Sequence, residues 1–338
     1  MNPAPLLERL LGRDDLSSAD IDALVDALVE GKLAPEALAA LLVAWRAKGE
    51  TAAEIAATAA ALRRHARPFP APAGLYADCC GTGGDGTRSL NVSTAVAFVA
   101  AGAGLPMVKH GNRAVSSSSG SADVCRSLGV PTELDPEDGR RLLEASGFVF
   151  LLAPLYHPGT AHAMPVRRAL GVRTVFNLLG PLTNPAAPPV QLVGVYDPRR
   201  VRPLAEALAH LGVRRALVVH GAGLDELALH APSTVARLHE GTIEELVLAP
   251  EEAGLERRPL ASLAGGSPET NARALEALLA GEGPPAYRDA VLLNTAALLW
   301  TAGLVRDLAA GIAEARAALR SGAAERVLAL QREHGRGA

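Results

Sequence analysis

The sequence predicts an α/β protein, with a small N-terminal helical domain and a large α/β domain that has a mainly parallel central sheet. Two patterns indicate this fold class. Apolar residues recur at helical spacing over residues 5–65, and beyond residue 74 short apolar runs alternate with helical segments. Strand and helix alternation is typical of a parallel sheet covered by helices on both faces. We therefore expect domains at residues 1–70 and 74–338.

The helical domain is predicted to contain four short amphipathic helices within residues 5–65. Ser17 and Thr51 stand where helix N-caps are expected. Residues 67–74 contain three prolines and cannot continue a helix, so they form the predicted linker. The proline-rich connection at 177–189 is expected to return to the helical domain, which part of residues 165–190 would then join. The predicted breaks between the four helices fall at Gly12, Gly31 and Gly49.

The large domain is predicted from its apolar runs. The predicted strands are residues 75–79, 106–108, 148–152, 190–195 and 216–219. The predicted helices are residues 93–103, 122–128, 136–145, 164–170, 199–211, 273–280, 288–303 and 305–330. Ligands of such folds bind outside the carboxyl ends of the strands, which is where both glycine-rich segments of the chain fall.

Composition narrows the possible functions. A hydrophobic content of 49% can fill a sizeable core, whereas an aromatic content of 3% and a net charge of -3 argue against nucleic-acid binding. The three cysteines form no CxxC pair, so neither a disulfide framework nor a zinc site is indicated. No signal sequence or membrane span is recognisable, and we expect a cytoplasmic protein.

The first glycine-rich segment, CGTGGDGTRSLNVST, covers residues 80–94. Gly81 and Gly84 allow the backbone to turn its amides toward an anion, and Asp85 can accept a hydrogen bond from a sugar hydroxyl. Asn91 and Ser93 stand at the start of a predicted helix, whose free amides favour phosphate. An ordinary strand-to-helix turn with plain N-capping is the alternative for this segment.

The second segment, KHGNRAVSSSSGSAD, covers residues 109–123. Lys109 and Arg113 supply cations, and the serines supply hydroxyls. A flexible serine linker is the alternative, but such a linker would not normally lie between a strand and a helix. Two anion-binding segments this close in sequence suggest one ligand with two phosphorylated ends.

Two further groups of charged residues are candidates. Asp225 and Glu226 follow a glycine turn and suit a hard divalent cation, although a solvated acidic turn would look the same. Arg167 and Arg168 are helical neighbours that face roughly 100° apart, so we expect only one of them to enter a given site. The lone histidines lack the Ser or Cys partner of a nucleophilic triad.

These motifs, with RRALGVRTVFNLLGPLTNP and GLDEL in the same order, resemble the anthranilate phosphoribosyltransferase family over nearly the whole chain. The resemblance implies transfer of phosphoribosyl from phosphoribosyl pyrophosphate to the amine of anthranilate in tryptophan biosynthesis. It also implies Mg²⁺, with two ions per active site, and a homodimer formed through the helical domain. Pyrimidine nucleoside phosphorylases share the fold and are the nearest alternative, followed by a non-catalytic nucleic-acid-binding relative.

The resemblance also implies roles for single residues. Ser93, Asp225 and Glu226 would hold the metal, while Gly81, Asn112 and Arg167 would receive anthranilate, with His110 and Pro181 lining the approach. His110 is the reserve candidate for a general base, and no residue is assigned a certain catalytic role. The residues expected to bind phosphoribosyl pyrophosphate are Gly81, Gly84, Asp85, Ser89, Asn91, Val92, Ser93, Thr94, Lys109, His110, Gly111, Asn112, Arg113, Ala114, Val115, Ser116, Ser117 and Ser121.

Overall fold

The computed structural model describes residues 1–113 and 119–337, and the predicted fold class is confirmed. The helical bundle at the N-terminus consists of α1 (Ala4–Leu11), α2 (Ser18–Val29), α3 (Pro35–Lys48) and α4 (Ala52–Arg64). Within the described residues one sheet is formed by β1 (Ala77–Gly81), β2 (Met107–Gly111), β3 (Phe148–Leu152), β4 (Val190–Gly194), β5 (Arg215–His220), β6 (Ser233–His239) and β7 (Thr242–Leu248).

The order of the strands in the sheet is β3-β2-β1-β4-β5-β6-β7. Strands β1 to β5 run parallel, whereas β6 and β7 are antiparallel to their neighbours. The chain moves outward from β1 through β2 to β3 and then returns to the other side of β1, where β4 lies. This reversal of strand order opens a crevice at the carboxyl ends of β1 and β4, where Gly81 pairs with Gly194.

Helices cover both faces of the sheet. Beyond the bundle they are α5 (Val92–Gly102), α6 (Ser121–Ser127), α7 (Pro136–Ser146), α8 (Ala153–Tyr156), α9 (Met164–Leu170), α10 (Phe176–Leu179), α11 (Val201–His210), α12 (Pro268–Leu279), α13 (Pro285–Ala302), α14 (Leu308–Arg320) and α15 (Ala323–Gly337). On one face of the sheet lie the almost fully buried helices α5 and α13, and on the other lie α11 and the N-terminal bundle. Helices α9 and α10 pack against α3 and α4 of the bundle.

The structure differs from the sequence prediction at two places. The prediction of a single helix over residues 305–330 is wrong, because two helices, α14 and α15, cover this region. The chain turns between them at Gly322, which adopts a φ of 69°. The hairpin of β6 and β7 was not predicted. Its two turn residues, Glu240 and Gly241, both have positive φ, which gives the twist that a two-residue hairpin needs. None of the helices in the described residues combines the length and apolar character needed to cross a bilayer.

The helical bundle is organised around the buried carboxylate of Glu54. Ser17 and Thr51 both form capping boxes at the starts of α2 and α4, as their positions predict. Beyond its part in the second box, Glu54 accepts a hydrogen bond from the backbone of Leu16 at 2.9 Å and one from Lys48 Nζ at 2.9 Å. One side chain, exposed to only 1%, thus joins three segments of the bundle.

The Glu54→Gln substitution tests this role. Because the amide replaces a charged acceptor and leaves the Lys48 ammonium with the exposed carboxylate of Asp15 at 2.6 Å, we expect the unfolding free energy to fall by about 1–3 kcal/mol. Chemical denaturation followed by circular dichroism measures the change. Glu36→Gln, at an exposed position in the first turn of α3, is the control and should change stability by less than about 0.5 kcal/mol. Equal effects of the two substitutions would contradict the interpretation.

Candidate active site

The first glycine-rich segment and the described ends of the second, residues 109–113 and 119–123, lie at the carboxyl edge of the sheet. The first follows β1 and leads into α5, while the second follows β2 and precedes α6. The loop after β5 carries Asp225 and Glu226 to the same edge. These segments are distant in sequence, but β1 lies between β2 and β4 and β5 lies beside β4, so the parallel sheet brings them together.

Glycines at the strand ends allow the acidic loop to lie across them. A Cβ atom on Gly81 would overlap the carboxylate of Asp225, and one on Gly194 would overlap its backbone oxygen. A Cβ on Gly221 would overlap the backbone oxygen of Glu226. The missing side chains at the ends of β1, β4 and β5 therefore create the space in which the Asp225-Glu226 loop sits.

Both carboxylates accept hydrogen bonds from backbone amides of the first segment. Gly83 N–H donates to Asp225 Oδ2 at 2.7 Å, and Ser93 N–H donates to Glu226 Oε1 at 3.0 Å. Ser93 lies in the first turn of α5, where the helix dipole favours negative charge. Two amides that the sequence assigns to an anion thus donate to carboxyl oxygens in this structure.

The two carboxylates have strongly raised pKa values. Burial raises the pKa of Asp225 to about 7, and the nearby carboxylate of Asp85 adds to the shift. Burial and the charge of Asp225 raise the pKa of Glu226 to about 8, against the opposing effect of Lys109. Repulsion between neighbouring buried carboxylates is relieved by a divalent cation, and oxygen donors of this kind suit Mg²⁺.

Among residues 1–113 and 119–337, no cluster of three or more His, Cys, Asp or Glu side chains suited to a metal occurs, so these residues do not supply a complete set of metal ligands around this pair. Mg²⁺ is commonly bound by one or two carboxylates and completes its coordination with substrate phosphates and water. The donor set of Asp225, Glu226 and the hydroxyl of Ser93 therefore fits a cation that arrives with a phosphorylated ligand.

Lys109 lies beneath the first segment rather than in the open crevice. Its side chain is 1% exposed, and Nζ donates to the backbone oxygen of Cys79 at 2.5 Å and to Ser93 Oγ at 3.3 Å. Ser93 consequently contacts Glu226 through its amide and Lys109 through its hydroxyl. The ammonium offsets part of the negative charge of the acidic pair and orients the Ser93 hydroxyl.

The remaining residues of the first segment have varied surroundings. Asp85 accepts from the backbone and hydroxyl of Thr87 at 3.1 and 2.7 Å. Ser89 forms an isolated bridge with Ala264. Val92 and Thr94 are buried, and the Thr94 hydroxyl has no hydrogen-bond partner among the described residues. The structure therefore places Val92 and Thr94 inside the core beside the site.

The second segment is described only at its two ends. The predicted donor-binding residues Ala114, Val115, Ser116 and Ser117 lie outside the described residues. Gly111 ends β2, and the backbone oxygen of the next residue, Asn112, accepts from Ala122 N–H at 3.1 Å and from Ser121 Oγ at 3.4 Å. Arg113 pairs with Glu133 at 2.6 Å on the exposed surface, so its guanidinium is not directed at the acidic pair.

His110 is buried, and its surroundings argue against a general base. Nδ1 contacts the backbone oxygen of Gly180 at 3.1 Å, and because a carbonyl only accepts, this nitrogen carries the proton. Burial and the neighbouring ring of His157 lower the pKa of His110 to about 3. A neutral imidazole of such low basicity is a poor proton acceptor. Pro181 is likewise buried, and its backbone oxygen accepts from Gln191.

An open cleft of about 520 Å³ separates the first glycine-rich segment from α9 and is lined by Asp85, Arg88, Met164, Arg167, Arg168 and Arg173, among others. Arg167 is half-buried over the ring of Phe176, 5.2 Å from its centroid, and burial lowers its pKa. Arg168 is exposed but lines the same cleft. This differs from the expectation that only one of the two would enter, because the cleft runs along a whole face of α9, from Met164 past both arginines to Gly171.

Several residues that contact the site were not singled out from the sequence. Arg173 donates to the backbone oxygen of Gly84 and stacks 4.0 Å from the ring centroid of Tyr196. Asn294 in α13 pairs with both backbone groups of Leu227, at 2.9 and 3.1 Å. A lone asparagine inside the apolar run VLLNTAALLW was an available signal, because a buried amide must find partners.

Comparison with known proteins extends this description. Two family models match the chain. The model of the glycosyl transferase family, helical bundle domain, matches residues 4–66, and the model of the glycosyl transferase family, a/b domain, matches residues 73–325. The chain is 55% identical to the anthranilate phosphoribosyltransferase of Sorangium cellulosum, over 95% of this chain and 93% of that protein. It is 47% identical to the enzyme of Pseudoalteromonas translucida, over 95% and 91%.

Solved structures give the same result. The anthranilate phosphoribosyltransferase of Thermus thermophilus superposes with a TM-score of 0.93 at 44% identity, covering 98% of this chain and 99% of that one. The Saccharomyces cerevisiae enzyme in complex with PRPP and Mg superposes with a TM-score of 0.90 at 31% identity, covering 99% and 98%. Both similarities include the helical bundle and the sheet together.

The raised pKa values predict how stability depends on pH in the absence of divalent cations. Asp225 and Glu226 ionise near pH 7 and 8 in the folded state and near pH 4 when unfolded. Between these limits the folded state binds more protons, so stability falls as the pH rises. From pH 6 to 8.5 we expect the unfolding free energy to fall by about 1 kcal/mol or more.

Chemical denaturation in EDTA at a series of pH values measures this slope. The double variant Asp225→Asn/Glu226→Gln should show a flatter profile over the same range. Glu244→Gln/Glu245→Gln, at two adjacent exposed carboxylates of β7, is the matched control and should keep the original slope. A slope that survives in the Asp225→Asn/Glu226→Gln variant would refute the assignment.

Proposed function

The chain belongs to the anthranilate phosphoribosyltransferases of the glycosyl transferase family, and from this premise we propose how its residues perform the reaction. The enzyme of tryptophan biosynthesis joins the amine of anthranilate to C1 of the ribose of phosphoribosyl pyrophosphate and releases pyrophosphate. One observation carries the assignment of roles: Asp225 and Glu226 lie directly on the backbone amides of the first glycine-rich segment. Groups that bind anions and groups that bind cations therefore converge at one point.

We propose that the two glycine-rich segments hold the phosphorylated donor. The first segment would receive phosphate oxygens on backbone amides other than those of Gly83 and Ser93, which donate to Asp225 and Glu226, and Lys109 with the Ser93 hydroxyl would support it from the core side. Asp85 would accept from a ribose hydroxyl. The other residues proposed to contact the donor are Gly81, Gly84, Ser89, Asn91, Val92, Thr94, His110, Gly111, Asn112, Arg113, Ala114, Val115, Ser116, Ser117 and Ser121.

The enzyme uses Mg²⁺, and we propose that Ser93, Asp225 and Glu226 hold it. When bound, the cation neutralises the negative charge that develops on the pyrophosphate leaving group. We propose two ions per active site, because the two carboxylates contact different parts of the site and could each bind one ion. Asp225 contacts Gly83 in the glycine loop, whereas Glu226 contacts Ser93 in α5. Titration calorimetry with Mg²⁺ and the donor counts the ions.

Anthranilate is proposed to bind in the cleft between the glycine loop and α9. Arg167 has no carboxylate partner among the described residues, and its planar fork suits the carboxylate of anthranilate. Gly81 and Asn112 would complete this subsite, with His110 and Pro181 nearby. Anchoring the carboxylate in this way would hold the weakly nucleophilic amine near C1, which is a positioning contribution to the rate.

The chemistry needs little else from the protein. Cleavage of the bond between C1 and the leaving oxygen places positive charge on the sugar and negative charge on pyrophosphate, and the loop amides stabilise the latter. No covalent intermediate with the enzyme is proposed. The anilinium formed by attack of the amine is acidic and loses its proton to water, so no general base is assigned.

The wider organisation of the protein is also proposed. Residues 1–70 with part of 165–190 would form one domain and 74–338 the other, supported by the packing of α9 and α10 on the N-terminal bundle. A homodimer through the helical domain is supported by Leu11 and Val43, which are 63% and 46% exposed on α1 and α3. A cytoplasmic location agrees with the three free cysteines.

A fluorescence assay tests the proposed activity. Purified protein mixed with Mg²⁺, phosphoribosyl pyrophosphate and anthranilate should consume the fluorescence of anthranilate, and EDTA should stop the reaction. A parallel reaction of uridine or thymidine with inorganic phosphate should show no turnover, because the chain belongs to the anthranilate branch of the fold. Phosphorolysis without loss of anthranilate would overturn the proposal in favour of a nucleoside phosphorylase.

The neighbouring arginines of α9 provide a matched pair of substitutions. Arg167→Ala should raise the KM for anthranilate at least about tenfold, the cost of losing one charge-assisted hydrogen-bonded pair, while the KM for the donor changes little. Arg168→Ala should change the KM for anthranilate less than about threefold, because its side chain is exposed. Steady-state kinetics with each substrate varied in turn distinguishes the two. The reverse order of effects would assign the carboxylate to Arg168.

A further inference from the structure

Asn271, in α12, contacts the phosphate-binding side of the molecule from a position 180 residues away from Asn91. Its side chain is 1% exposed and hydrogen-bonded at both ends of its amide. Oδ1 accepts from the backbone N–H of Gly266 at 2.7 Å, and Nδ2 donates to Asn91 Oδ1 at 2.9 Å. The two asparagine amides therefore form a chain that begins at a backbone N–H and ends at the start of α5.

The direction of this chain is fixed by its first member. A backbone N–H can only donate, so the oxygen of Asn271 must face Gly266 and its NH₂ group must face Asn91. Asn91 must then present its own oxygen to Asn271, which leaves its NH₂ group on the opposite side. Ser119 contacts the Asn91 amide at both ends, since its backbone oxygen accepts from Nδ2 and its hydroxyl donates to Oδ1, each at the long distance of 3.4 Å. The contact with Asn271, at 2.9 Å, is shorter than either of these.

The hydrogen bonds of Asn91 are not those of a helix cap. It is the N-cap residue of α5, yet its side chain makes no capping hydrogen bond to the helix. Its backbone oxygen instead accepts from the buried hydroxyl of Tyr287 in α13 at 3.1 Å. The side chain of Asn91 is therefore hydrogen-bonded to α12 and its backbone oxygen to α13. Neither helix belongs to the two glycine-rich segments.

We propose that Asn271 is a positioning residue that fixes which end of the Asn91 amide faces the phosphorylated donor. With Asn271 present, Asn91 offers hydrogen-bond donors to anionic oxygens. Without it, the Asn91 amide can rotate and bring its carbonyl oxygen toward the same oxygens, where the contact is repulsive. This inference rests on the proposed function, since it assumes that Asn91 binds phosphoribosyl pyrophosphate.

A double-mutant cycle tests the proposal, because a residue that acts through another gives non-additive effects. The variants are Asn91→Ala, Asn271→Leu and the two together. Titration calorimetry with Mg²⁺ and phosphoribosyl pyrophosphate, without anthranilate, gives the Kd of each. We expect each single variant to raise Kd about tenfold and the double variant to be no weaker than Asn91→Ala alone. The KM for anthranilate should stay within about twofold of its original value in Asn271→Leu.

Gln331→Leu is the control for loss of a buried amide. Gln331 is 0% exposed and donates to Ser146 Oγ and the Phe148 backbone oxygen, at the opposite edge of the sheet. It should lower the melting temperature about as much as Asn271→Leu and leave donor binding unchanged. Where Asn271→Leu does not fold, the smaller Asn271→Ala replaces it in the cycle.

The outcomes separate the inference from the function on which it rests. A roughly hundredfold rise of Kd in the double variant means that the two residues act independently, and the positioning role is then wrong. Unchanged donor binding in Asn271→Leu, with a lowered melting temperature, also overturns it and leaves Asn271 a purely structural residue. Failure of the unsubstituted protein to bind the donor would instead refute the proposed function.

Discussion

The contact between the Asp225-Glu226 loop and the amides of the first glycine-rich segment is the interaction on which the site depends. It places Glu226 against the N-terminus of α5, where the helix dipole favours anions, and Asp225 against the amide of Gly83 in the glycine loop. The contact is possible only because Gly81 and Gly194 end β1 and β4 and Gly221 follows β5, which leaves room for the loop. Burial of the carboxylates raises their pKa values, so the arrangement is stabilised when a cation or protons offset the negative charge.

Two polar side chains of the C-terminal helix α13 hold the backbone of the site in place. Asn294 in α13 fixes the backbone that follows Glu226, and Tyr287 in the same helix holds the backbone of Asn91. These contacts are made by buried polar side chains whose hydrogen bonds are satisfied within the protein, which makes them directional and rigid. A few polar side chains on the otherwise apolar helix α13 therefore fix the backbone of loops to which this helix contributes no residue.

The cleft has a different character from the sheet edge where the first glycine-rich segment meets the acidic loop. Arg167, Arg168 and Arg173 line it together, and Arg173 also contacts the oxygen of Gly84. Because α9 and α10 pack on the N-terminal bundle while the glycine loop follows β1, the two walls of this cleft come from different layers of the fold. Cationic side chains on one wall and backbone amides on the other suit two substrates that both carry negative charge.

The sequence by itself determined the fold class, the two glycine-rich segments and the acidic pair, because local periodicity, turn residues and adjacent charges are visible within a few positions. It indicated the capping roles of Ser17 and Thr51 for the same reason. Only the tertiary structure decided that Asp225 meets Gly83, that Asn271 meets Asn91 and that Arg113 turns to Glu133. Such contacts join residues far apart in sequence, and they depend on the order of strands and on which glycines face which backbone, which no local pattern records.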